Sequence, residues 1–144
     1  LIIRLPPIST QVLSSAASDV YKIHHGTIKK LKKKNTTTKE TYLKKFASGE
    51  WLGAFSLSEP QSGSDASNML TFAKKDSDHY IINGIKNWVS NGINCDAVVV
   101  FLMTEKGVGH KGISALIVEK GTAGFCHGKK DDKLGIRGSD TCEF

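Results

Sequence analysis

The chain lacks several things, and each lack removes a class of protein. No apolar run approaches the roughly 18 residues that cross a bilayer, so no membrane span is expected. Leu1 to Ile3 is too short for a secretory leader, and Pro6-Pro7 interrupts the segment beyond it. Only Cys95, Cys126 and Cys142 carry thiols. No pair has CxxC spacing, so they read as buried or idle thiols that fit a reducing compartment. His24 and His25 are adjacent and diverge on a helix, while His79, His110 and His127 are scattered, so no metal site is expected. No Ser-His-Asp order can be defended, and Gly107-Val-Gly109 lacks the rest of a dinucleotide fingerprint. Long helical patterns between strands are also missing, which argues against a doubly wound sheet.

What remains is enough for a folded core. The chain has 144 residues, of which 39% are apolar. Its net charge of +6 is local in origin. Residues 28–45 hold eight lysines against Glu40 alone, a local balance of +7, so the rest is near −1. A basic run could grip nucleic acid, but this one has no interleaved aromatics for base stacking. It reads as a solvated helical surface, with no nucleic-acid partner.

Two periods divide the chain. Val12, Leu13, Ala16, Ala17, Val20 and Ile23 recur at helical spacing and predict a helix over Ser9–His25. Ile28–Lys34 could add a turn or two, and Asn35-Thr-Thr-Thr38 reads as a hinge or cap. Thr37 and Glu40 have capping-box spacing, and Tyr42, Leu43 and Phe46 fit a short helix closed near Gly49. From Trp51 the pattern alternates. Strands are predicted at Trp51–Leu57, Met69–Lys74, His79–Ile85, Ala97–Met103 and Ile113–Glu119, with a hairpin turn at Asp76-Ser-Asp78. The expected class is α+β: a short helical segment followed by an antiparallel β-domain, a barrel or a sandwich.

Two segments carry chemistry. Phe55-Ser-Leu-Ser-Glu-Pro-Gln-Ser-Gly-Ser-Asp65 runs from a strand into a polar loop. Gly63 allows backbone amides to approach an anion, and Ser58 and Ser64 add neutral donors. The same residue types also make ordinary turns. Glu59 is a conceivable general acid, but no second carboxylate or histidine stands ready beside it, and structural capping fits it better. In Lys86-Asn-Trp-Val-Ser-Asn-Gly92, a strand would put Trp88 and Ser90 on one face, suited to stacking on and hydrogen-bonding a heteroaromatic ring. A buried core tryptophan is the plainer alternative.

These motifs resemble those of the acyl-CoA dehydrogenase family. Leu57-Ser-Glu-Pro-Gln-Ser-Gly-Ser-Asp65 resembles its first signature, and Trp88-Val-Ser90 its flavin-contacting Trp-x-Ser/Thr. Asp132-Lys-Leu-Gly-Ile-Arg-Gly-Ser139 is similar to a segment near the end of its middle β-domain. Tyr42-Leu-Lys-Lys-Phe-Ala-Ser-Gly-Glu50 looks like the end of its N-terminal helical domain. The likeness covers nearly all of residues 10–144 and is nearest to short-chain or branched-chain members, of the isovaleryl-CoA type. It implies that residues 1–49 finish a helical domain and residues 50–144 form a middle β-barrel domain that binds FAD. A C-terminal helical domain would lie beyond this chain.

The resemblance also implies roles. Phe55, Ser56, Leu57 and Ser58 would lie beside the flavin, with Gly63 and Ser64 at its pyrophosphate and Ser64 also at the acyl-CoA. Trp88 would cover the ring, Val89 would adjoin it, and Ser90 would reach towards N5. The implied reaction is α,β-dehydrogenation of a short- or branched-chain acyl-CoA, with electrons passed to electron-transfer flavoprotein. The base would be a glutamate of the absent C-terminal domain, so no catalytic residue is assigned here and the fragment alone would not turn over. A homotetramer is implied, in the mitochondrial matrix of a eukaryote or the cytoplasm of a bacterium. Ser56 departs from the usual Ala, Gly or Cys, Asn68 replaces a small residue, and Lys32–Lys39 stands where relatives have a more acidic turn. A non-catalytic binding module that keeps the fold is the rival reading.

Overall fold

The computed structural model describes residues 35–77 and 79–144, in two compact units divided after Gly53. The helix expected at Ser9–His25 and lysines 29–34 lie outside the described residues. In the first unit, α1 spans Asn35–Ser48. It starts at Asn35 and runs through the predicted hinge, so the Thr37–Glu40 spacing lies inside the helix. Its half-buried apolar residues Tyr42, Leu43 and Phe46 share a face. Gly49, at φ 75°, ends it in the left-handed conformation that glycine adopts without a Cβ clash. The chain then returns, and Trp51 meets Tyr42 and Phe46 edge-on at 6.0 and 6.1 Å. Lys45 Nζ lies 4.0 Å over the same indole, so one of the eight lysines covers apolar surface.

Among its described residues the second unit holds seven short strands: β1 (Gly53–Ser56), β2 (Phe72–Asp76), β3 (His79–Asn83), β4 (Val89–Ser90), β5 (Ala97–Met103), β6 (Ile113–Glu119) and β7 (Thr141–Cys142). β1 begins on the last residue of the first unit. β5 is the hub, because six of its seven residues are buried and it must be covered on both faces. β6 pairs antiparallel with it along its whole length, from Ala97↔Glu119 to Met103↔Ile113. β2 and β3 form the expected hairpin with Asp76 opposite His79, and Ser77 turns the chain at φ 54°.

The barrel expectation is overturned. The main sheet runs β1-β5-β2-β3 with β6 also on β5, while β4 and β7 make a separate ribbon. Nor is the pairing wholly antiparallel, because β2 meets β5 in parallel at Phe72↔Met103. Closure needs every strand paired on both edges. Here β1 has four residues and β4 and β7 two each, too short to carry a continuous ladder around a cylinder. The fold is α+β with open sheets.

The core lies under β5. Val98 and Leu102 are fully buried and pack with Ala54, Ala73, Val89, Cys95, Val100 and Val118. Burying Leu102 alone is worth about 2 kcal/mol. Val89 and Cys95 belong to this cluster, so the ribbon segment that carries Trp88 and Ser90 is anchored to the sheet's core.

Candidate functional site

β1 delivers the chain into a tight turn. The amide of Glu59 donates to the Ser62 carbonyl at 2.7 Å and the Ser62 amide donates back at 3.1 Å, closing the turn around Pro60-Gln61. Ser62 Oγ then donates to the Asp65 carbonyl at 2.7 Å. Glu59 itself points inward, buried beneath the turn that its backbone makes.

Its carboxylate is fully engaged. Lys86 Nζ donates to Oε1 at 2.7 Å, and Lys86 is equally buried. The amides of Leu70 and Thr71 donate at 2.6 and 3.0 Å, and Gln61 Nε2 at 2.7 Å. Burial by itself would raise the carboxyl pKa, but bonds from Lys86, Thr71, Leu70 and Gln61 outweigh it and bring the value down to about 2. Burial lowers the pKa of Lys86, against the pull of Glu59. Glu59 is therefore an ionised structural hub, as its capping reading anticipated, and its lone pairs are spent. The sequence reading missed Lys86, although it lies in the quoted segment two residues before Trp88.

Lys86 joins the two motifs. Its Nζ also donates to the Leu57 carbonyl at 2.8 Å, and the Asn87 amide donates to the Ser58 carbonyl at 2.8 Å. Its backbone is held by two bonds with Phe144, at 2.9 and 2.8 Å. The segments carrying Leu57-Ser58 and Trp88 are thus bonded neighbours. Past Ser90, Asp140 secures the next turn by accepting from the Ile93 amide at 2.8 Å and Asn94 Nδ2 at 3.2 Å.

The singled-out residues fare differently. Trp88 is 67% exposed, which sets aside the core-tryptophan alternative. It precedes β4 and holds φ 56°, so strand alternation does not relate it to Ser90 as the sequence reading supposed. A bulky residue in the left-handed region costs about 1 kcal/mol or more and persists only where its flanks fix it. Ser58 is half-buried, and its amide and hydroxyl have no partner among the described residues; the half-buried Ser90 hydroxyl has none either. Phe55 and Leu57 are half-buried, with Phe55 5.0 Å from the ring of Phe101. Ser64 and Gly63 are exposed on the loop. Gly63 has no left-handed φ, and a Cβ there would meet nothing within 4 Å, so its backbone does not require glycine. Ser56 and Val89 are buried, so their side chains face the core and only their main chains could adjoin a ligand. Ser56 Oγ is buried without a partner among the described residues.

The two segments together place an exposed indole beside donors that have no partner among the described residues. The family model for the acyl-CoA dehydrogenase middle domain matches residues 54–144. The chain belongs to the acyl-CoA dehydrogenase family. It is 48% identical over 112 residues to mitochondrial isovaleryl-CoA dehydrogenase of Pongo abelii, a match covering 76% of this chain and 26% of that protein. A solved structure of the electron transferring flavoprotein of Acidaminococcus fermentans, studied for flavin-based electron bifurcation, matches with a TM-score of 0.72 at 48% identity. That match covers 73% of this chain and 28% of the other. The FAD complex of PigA matches with a TM-score of 0.72 at 30% identity, over 75% of this chain and 28% of the other. The chain therefore spans about a quarter of the length of these proteins.

Proposed function

We propose that this chain is the flavin-side portion of an FAD-dependent dehydrogenase acting on a short or branched acyl-CoA thioester, with electron-transfer flavoprotein as electron acceptor. Family membership supports the reaction class. The isovaleryl-CoA dehydrogenase relative supports the substrate class, and the flavoprotein match supports the acceptor. The observation that carries the reading is the bonded junction of Ser58 and Trp88 segments, with an exposed indole and donors that have no partner among the described residues.

These groups fit FAD. When bound, it supplies the acceptor for the hydride removed from the β-carbon. In this reading Trp88 covers one face of the ring. The Ser58 amide and hydroxyl would donate to its pyrimidine edge, and Ser90 would donate near N5, where donors stabilise developing charge. Phe55 and Leu57 flank the ring, while Ser56 and Val89 support it from the core. Ser64 and Gly63, exposed on the loop, would hold the cofactor there, with Ser64 at the pyrophosphate and also at the acyl-CoA. Glu59 is not the base, because its carboxylate is buried and holds four groups already. Proton removal falls to a carboxylate outside the described residues. The reading extends to a homotetramer, in the matrix of a eukaryotic mitochondrion or the cytoplasm of a bacterium.

The test is direct. The intact protein should purify with a visible flavin spectrum that bleaches when isovaleryl-CoA is added without oxygen. A folded protein that stays colourless with added FAD would instead be a non-catalytic module with this fold.

A further inference from the structure

Lys86 and Glu59 are 3% and 2% exposed, an ion pair in the interior of a small unit. Such pairs are often replaceable by apolar residues without loss of stability, because desolvation cancels most of the attraction. A charge kept there calls for a reason, and the contacts of Lys86 supply one. The carbonyls of Leu57 and Ser58 are both taken by consecutive residues: Leu57 O by Lys86 Nζ, Ser58 O by the Asn87 amide. The Ser58 N–H and hydroxyl have no partner among the described residues. A cation on the Leu57 carbonyl also polarises the Leu57–Ser58 peptide, making the N–H of that same peptide a stronger donor. Glu59 holds the ammonium in place, and the bonds to Phe144 hold its backbone.

We propose that Lys86 is a positioning residue for the flavin: held by Glu59, it fixes and polarises the Leu57–Ser58 peptide and sets that peptide's place relative to Trp88. This rests on the FAD reading above. Its effect on a bound flavin is electronic as well as steric, since a stronger donor at the pyrimidine edge stabilises the reduced, more negative ring.

The test uses the intact protein and FAD. The double substitution Glu59→Gln with Lys86→Met removes both charges together, and the introduced amide oxygen still accepts from the Leu70 and Thr71 amides. The double variant should keep its circular dichroism, bind FAD at least about tenfold more weakly, and show a more negative flavin midpoint potential. Wild-type affinity and potential in that variant would overturn the inference and leave the FAD reading standing. A wild-type protein that binds no FAD would overturn both. If the double variant does not fold, Lys86→Arg decides. It keeps the charge and changes the donor geometry, so the flavin absorption and potential should shift; unchanged values would overturn the inference.

Discussion

β5 with β6 and the Glu59–Lys86 junction hold one unit together by opposite means. The strand pair uses a seven-residue register and buried Val98, Val100 and Leu102. The junction uses a buried charge pair and hydrogen bonds between residues 27 apart in sequence. The apolar pair tolerates change in proportion to volume lost, while the polar junction fails abruptly once a partner is missing. The first gives stability, and the second gives placement to the segments proposed to meet the cofactor.

The contrast breaks most sharply with Lys86→Met. It leaves the Glu59 carboxylate buried and unpaired, and should cost about 3–5 kcal/mol at pH 7 by denaturant unfolding. Leu102→Ala should cost about 2–4 kcal/mol, and by the same amount at pH 7 and in acid, since no charge is involved. Gly92→Ala tests the ribbon: its Cβ would lie 2.5 Å from Cys142 Sγ in the strand that pairs with β4. A loss of about 1–3 kcal/mol is expected.

Acid separates the two regions. The folded pKa of Glu59, about 2, lies below its ordinary value of 4.5. The unfolded chain therefore binds more protons between those values. The contribution of Glu59 is full above about pH 4.5 and is lost as pH falls towards 2. Glu59→Gln should flatten that part of the stability–pH curve, and an unchanged slope would show that other groups carry it. The smallest effect is Ser56→Ala, which removes an unpaired buried hydroxyl and should be neutral or stabilise by up to about 1 kcal/mol.

The same contrast explains what could be read from the sequence. β5 and β6 appear at their predicted bounds, because a run of apolar residues is local information. The start of α1 was misread because Asn35 and three threonines resemble a turn, yet they are helical. Barrel closure depends on pairing between distant strands, and nothing in a strand pattern reports a missing ladder. The left-handed backbone of Trp88 was equally invisible, so the same-face argument for Trp88 and Ser90 rested on a strand that starts one residue later. Glu59 could be recognised as structural, but its partner could not, because no local spacing links residues 59 and 86.

The most direct measurement is a crystal structure of the intact protein with FAD. The account expects the isoalloxazine against the indole of Trp88, with the Ser58 amide and the Ser90 hydroxyl both within hydrogen-bond reach of that one ring. A flavin seated elsewhere, or these three residues turned towards separate surfaces, would contradict it.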